Sequence, residues 1–143
     1  MTESVVLTVT RHFEASPERV FDAWLDPGQV GEFLFATPTG RRVCVDVDAR
    51  VGGEFRIDEQ RGEMIAEHFG TYLEIDRPRR LVFAFGTHRE HAPTRVTIEI
   101  VARGAGCELT LTHEMSPEWA DYADRTRAGW TMILGTLARV VTR

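Results

Sequence analysis

From Ser116 onward the chain carries the spacing of a single long helix. Trp119, Tyr122, Ala123, Thr126, Trp130, Ile133, Leu134, Leu137 and Val141 recur at the three- and four-residue intervals of one face, while Asp121, Asp124, Arg125, Ala128 and Arg139 mostly fall outside it. Ser116-Pro117-Glu118 supplies the chemistry of a helix start: a capping hydroxyl, a ring suited to the first helical position, and a carboxylate at the positive end of the dipole. The spacing predicts one helix from Ser116 to Arg143, about 24 residues in regular helix and about 36 Å long. What precedes it is mainly strand, so the fold class is α+β.

The strands are read from period-two alternation. Val5, Leu7 and Val9 alternate with Val6, Thr8 and Thr10, which predicts a first strand through about Phe13. Ser16-Pro17-Glu18 then starts a helix with Val20, Phe21, Trp24 and Leu25 on one stripe, broken at Asp26-Pro27-Gly28; a weaker second helix is predicted over Gln29 to Leu34. Val43, Val45 and Val47 begin a β-rich middle, Gly52-Gly53 marks a tight turn or close backbone approach, and Phe55 and Ile57 continue beyond it. Glu63 to Ile75 is long for a strand, and Gly70 inside it predicts a bulge or bend. After the Asp76-Arg77-Pro78 turn, Leu81, Phe83 and Phe85 share a face, as do Val96, Ile98 and Ile100. Gly104-Ala105-Gly106 turns the chain into a last strand, where Leu109, Leu111, His113 and Met115 face one way.

Length and charge narrow the function classes. At 143 residues, 43% hydrophobic and 27% charged, residues 1–143 read as one domain with a sizeable core. The net charge of −5 and the lack of a basic cluster argue against nucleic acid or an anionic membrane as partner. All 17 basic residues are Arg, so lysine amine chemistry is excluded. Cys44 and Cys107 form neither a zinc motif nor a disulfide framework, and no leader or spanning segment is legible. The expectation is a reduced, cytoplasmic protein without a cofactor or metal.

Five segments in order, SPERVFDAWLDP (16–27), DARVGGEFRI (48–57), HFGTYLEIDRPRRLVFAF (68–85), CELTLTHEM (107–115) and AGWTMILGTL (128–137), resemble the activator of heat-shock-protein-90 ATPase homologue family of the START-like, or SRPBCC, superfamily. The resemblance covers nearly the whole chain. It implies a helix-grip fold, in which a curved antiparallel sheet wraps a long C-terminal helix, with two short helices after the first strand. Such folds usually enclose an apolar cavity, with the N-terminal half of the long helix facing it and the C-terminal half packed as core; Ile133, Leu134, Leu137 and Val141 are then core residues. Where many relatives carry Trp shortly after the Asp-Pro turn, this chain has Phe33 and Phe35, which implies a different cavity mouth. The superfamily includes lipid carriers and polyketide cyclases, and most single-domain bacterial members of this branch have no assigned activity. The eukaryotic chaperone activator carries an additional N-terminal domain that this sequence does not match.

The expected function is therefore binding of a small hydrophobic or amphipathic molecule, with Trp119, Tyr122, Thr126 and Trp130 on the helix and Phe83, Leu109, Leu111 and His113 on the strands as its lining. His113 among apolar neighbours can orient a ligand or serve as a general base; the plainer reading, which is preferred, is a buried histidine bonded to a neighbour such as Tyr122 or a backbone carbonyl. The aromatic stripe can line a pocket or be plain core. A cyclase- or hydrolase-like reaction in the same cavity and regulation of a chaperone ATPase through the sheet's outer face are the alternatives. His88 and His91 flank Glu90 in an H-x-x-H pair that fits a solvated loop better than a zinc site. His12 and His68 have no evident partner, although His68 shares the face of Met64 and Tyr72. Asp46, Asp48, Glu67 and Glu99 read as solvent-facing, with Arg56 paired among them. No serine sits in a nucleophile motif, and Gly52-Gly53 is no phosphate loop.

Overall fold

The computed structural model describes residues 5–37, 39–87 and 93–142. The elements run β1 (Val5–Phe13), α1 (Pro17–Leu25), α2 (Pro27–Phe33), β2 (Arg41–Val47), β3 (Glu54–Arg61), β4 (Met64–Asp76), β5 (Arg80–Gly86), β6 (Thr94–Arg103), β7 (Gly106–Met115), a 3₁₀ turn (Pro117–Tyr122) and α3 (Ala123–Thr142). The strands form one antiparallel sheet of seven in the order β1-β7-β6-β5-β4-β3-β2. Because β1 pairs with β7, the first and last strands sit side by side, and α3, following β7, packs back onto β1, α1 and α2. This is the helix-grip architecture.

Local chemistry explains the short helices. Ser16 caps α1 by accepting from the Arg19 amide at 3.1 Å. Asp26 both ends α1 and caps α2, its carboxylate accepting from the Gly28 amide at 2.9 Å, and Pro27 takes the first helical position. The Asp-Pro-Gly break is thus also the start signal of the second helix, which begins earlier than its apolar spacing predicts.

Two expectations need correction. The chain from Ser116 is not α-helical at once: Ser116 makes no side-chain cap bond, and Pro117–Tyr122 forms a 3₁₀ turn with no buried residue. Three residues per turn puts Trp119 and Tyr122 in register, with ring centroids 5.6 Å apart. The buried stripe of α3 begins only at Trp130 and continues through Ile133, Leu134, Leu137, Val140 and Val141. Arg143, the predicted helix end, lies outside the described residues. In β4 the register shift falls between Tyr72 and Glu74 rather than at Gly70. Gly70 serves close approach instead, since a Cβ there would lie 2.1 Å from the Ala84 carbonyl oxygen and 2.5 Å from the Phe55 ring.

Inward residues of the strands and the stripe of α3 share one core that includes Leu7, Phe13, Ile57, Leu81, Phe83, Ile98, Leu109, Leu111, Leu134 and Leu137. The outer face carries the expected ion pairs, with Arg56 bonded to Asp58 and Glu67, and Arg80 to Glu74 and Glu99. Asp58 departs from the solvated pattern: it is buried with one carboxylate oxygen unpartnered.

Candidate functional site

The core does not extend to the end of the sheet where β5 finishes, β6 begins and β7 hands over to the 3₁₀ turn. There a cleft of about 600 Å³ opens under α3. One wall is the sheet end: Phe85, Gly86, Thr94, His113 and Met115. A second is the helical side, with Trp119, Arg125, Thr126, Gly129, Trp130 and Ile133. Phe35, Arg61 and His68 form the third.

His113 holds the first two walls together. The Trp130 indole N–H donates to His113 Nδ1 at 3.0 Å, which makes Nδ1 the unprotonated ring nitrogen. Nε2 therefore carries the proton and donates to Thr94 Oγ1 at 2.7 Å, and the Thr94 hydroxyl donates onward to the Phe85 carbonyl at 3.3 Å. Burial lowers the His113 pKa to about 4, so the ring is neutral at pH 7. Neither ring nitrogen is left for a proton transfer. The partners are Trp130 and Thr94, not Tyr122 or a carbonyl.

The third wall is built by a buried charge cluster. Glu59 is 1% exposed, and its carboxylate accepts from the Thr37 amide (3.0 Å), the Thr37 hydroxyl (2.9 Å), Arg42 (3.0 Å) and Arg61 (2.7 Å). Burial alone raises its pKa, but those donors outweigh it and hold the carboxyl below its ordinary range. Arg42 also donates to the Gly31 and Leu34 carbonyls, and Arg61 to the Phe35 carbonyl at 3.1 Å. The loop after α2 is thereby tied to β2 and β3. Within it Phe35 has φ 59°, a left-handed conformation that costs a non-glycine residue about 1–2 kcal/mol. In that conformation its ring lies parallel to the His68 imidazole, centroids 4.1 Å apart, and 5.0 Å from the Phe85 ring. His68 donates Nδ1–H to the Ile57 carbonyl at 3.1 Å, which leaves Nε2 as an acceptor. Burial lowers its pKa to about 4.

Of the predicted lining, His113, Trp119, Thr126 and Trp130 border the cleft. Phe83, Leu109 and Leu111 do not; each is at most 2% exposed and sealed in the core. They share the correct face, but Leu111 and Leu109 lie two and four residues before His113 in β7, about 7 and 13 Å along the strand. Alternation identifies a face and not a position along it. Tyr122 is 45% exposed, packed beside Trp119 with the Arg125 guanidinium 5.4 Å from its ring, and does not border the cleft. Ile133 is part of the core as expected and also borders the cleft. Phe35, Arg61, His68 and Phe85 come from four separate elements and were not singled out by spacing. The substitution of phenylalanine after the Asp-Pro turn was the one signal for Phe35. Phe33 is buried against the Trp24 ring, centroids 5.1 Å apart. His88, Glu90 and His91 lie outside the described residues, and among the described residues no three His, Cys, Asp or Glu side chains cluster as a metal site. No helix there is long and apolar enough to cross a membrane.

Residues 14–142 match the family described as activator of Hsp90 ATPase homolog 1-like protein. The chain belongs to that family. Among curated proteins none matches it. The fold is shared with solved structures at low identity. A protein of Chromobacterium violaceum is 23% identical with a TM-score of 0.84, the match covering 96% of this chain and 97% of that one. A Staphylococcus aureus protein of unknown function is 15% identical with a TM-score of 0.89, covering 99% and 95%. An Aeromonas hydrophila protein described as AHSA1-like is 23% identical with a TM-score of 0.82, covering 96% and 92%. At these identities the likeness is one of fold. The family's fold is compatible with a ligand-binding role.

Proposed function

We propose that this chain is a container for a small apolar or amphipathic molecule. The observation that carries the reading is the cleft: about 600 Å³, within the range of about 300–1,000 Å³ usual for ligand sites. Phe35, Phe85 and Trp130 give it aromatic walls, and the polar groups of His113, Thr94 and the Trp130 indole are satisfied within the protein. Apolar burial, about 25 cal/mol per Å², then supplies most of the affinity. The roles proposed for His113 and Thr94 are to fix the position of Trp130; those for Trp119, Thr126 and Trp130 are to contact the ligand. The free thiols Cys44 and Cys107 support the cytoplasmic expectation.

The enzymatic reading loses its strongest residue, because His113 has no free nitrogen with which to act as a base. The chaperone reading rests on the family description, whereas the container rests on a feature of this chain. A thermal-melt screen against aromatic and aliphatic compounds tests it: a bound ligand raises the melting temperature, since it binds the native state alone. If no member of a broad apolar panel does so, the container reading fails.

A further inference from the structure

Among the described residues, the charge that lines the cleft runs against the charge of the chain. Acidic residues outnumber basic ones, 22 to 17, yet the described residues lining the cleft include Arg61 and Arg125 and no Asp or Glu. Most surface arginines are neutralised by a neighbour, as in the pairs Arg50–Asp48, Arg77–Asp22 and Arg127–Asp124. Arg125 has no carboxylate partner among the described residues and lies over the Tyr122 ring. Arg61 is only partly consumed. Its Nε bonds Glu59 and one terminal nitrogen bonds the Phe35 carbonyl, which leaves the other terminal nitrogen without a partner among the described residues. Glu59 does not cancel it, because that one carboxylate is shared with Arg42. The two lining histidines are neutral at pH 7, so they neither add to nor compete with the arginines.

We propose that the cleft selects amphipathic anions: a compact aromatic or aliphatic body bearing a carboxylate. The body lies against Phe35, Phe85 and Trp130, and the carboxylate is drawn to Arg61 and Arg125. This inference rests on the container reading and deepens it. A planar guanidinium matches a carboxylate with paired donors, and charge-assisted bonds are about twice as strong as neutral ones. The arginines also draw an approaching anion and hold its charged head beside them while the apolar body packs into the aromatic interior.

The test uses matched pairs that differ in charge: 2-naphthoate against 2-naphthalenemethanol, and decanoate against 1-decanol. Calorimetric titration of the full chain, at low and high ionic strength, gives each dissociation constant. The acid of each pair is expected to bind at least about tenfold more tightly than its alcohol at low salt, with the gap narrowing as salt screens the mouth. In Arg125→Met the gap should shrink severalfold, and in Arg125→Glu it should vanish or invert. Arg61→Met should shrink it as well; where loss of the Glu59 partner prevents folding, the Arg125 variants and the salt series decide alone. Equal affinity within each pair, or a gap untouched by Arg125→Glu and salt, overturns the anion inference while the container stands. If neither acid nor alcohol binds, the container fails and the inference falls with it.

Discussion

Gly129 offers the cleanest perturbation of the cleft. It lies inside α3, where glycine is less favourable than alanine by about 0.8–1.0 kcal/mol. A Cβ built on it meets nothing within 4 Å, and the residue borders the cleft. Gly129→Ala should therefore stabilise the fold by about 1 kcal/mol. With unfolding entropy of about 2.1 cal/mol/K per residue over 143 residues, that raises the melting temperature by about 3 °C. Gly129→Leu keeps the helical gain, because leucine is nearly as good a helix former as alanine, and projects four carbons into the cleft. It should be at least as stable as wild type and should lose the thermal shift given by 2-naphthalenemethanol. Gly135→Ala is the control: it is the other α3 glycine with nothing within 4 Å of its Cβ position, and it does not line the cleft. It should gain the same stability and bind normally. Scanning calorimetry with and without the probe reads both effects. If Gly129→Leu is destabilised by more than about 1 kcal/mol, the space is already filled and the cleft is not as described. If it is stable yet keeps the full ligand shift, the ligand binds elsewhere.

Three further outcomes follow from the same geometry. His68 and His113 titrate at about 4 when folded and near 6.5 when unfolded, so the unfolded chain binds the extra protons and stability falls as pH drops from about 6.5 towards 4. The loss should reach about 2 kcal/mol per histidine by pH 5, read from urea midpoints, with His68→Gln removing its share of the slope; a midpoint flat between pH 7 and pH 5 would contradict the assigned burial. His113→Phe strips the Trp130 indole N–H and the Thr94 hydroxyl of a partner and should cost about 1–3 kcal/mol of stability, whereas unchanged denaturation would rule out the relay. Added to an Hsp90-type chaperone, the chain should leave ATP turnover unchanged; a dose-dependent rise would move the function from the cleft to the outer face.

The architecture was legible because it depends on periodicity. Period-two runs located the strands other than β4, which was read as one long segment around Gly70, and the stripe from Trp130 to Val141 located α3. The cleft was half legible for a physical reason. A strand pattern tells which side faces inward, but His113 borders space and Leu109, on the same face, is packed solid, according to where α3 lies above them. The third wall was illegible. Phe35 sits in an irregular loop, its position set by Arg61, Arg42 and Glu59 on other elements, and no local spacing encodes that closure. Glu59 shares the face of Phe55 and Ile57 in β3, an alternation signal for an inward carboxylate that was not singled out from the sequence.

The distribution of cost argues that the cleft is selected rather than left over. A fully packed end of the core would be more stable, since buried space forfeits dispersion and apolar contact. Several unfavourable choices border this one volume, while others, such as Gly135 in α3 and the buried Asp58, lie away from it. Gly129 weakens the helix where an alanine would fit. Phe35 is held left-handed by an ion cluster rather than by local preference. Two imidazoles are buried neutral, at a cost that grows as pH falls. Each of these borders the same cleft, which is what the proposed container reading expects of a site kept at a cost in stability. The Gly129 variants weigh that argument directly, because they restore one of the broken rules and fill the space with the same substitution.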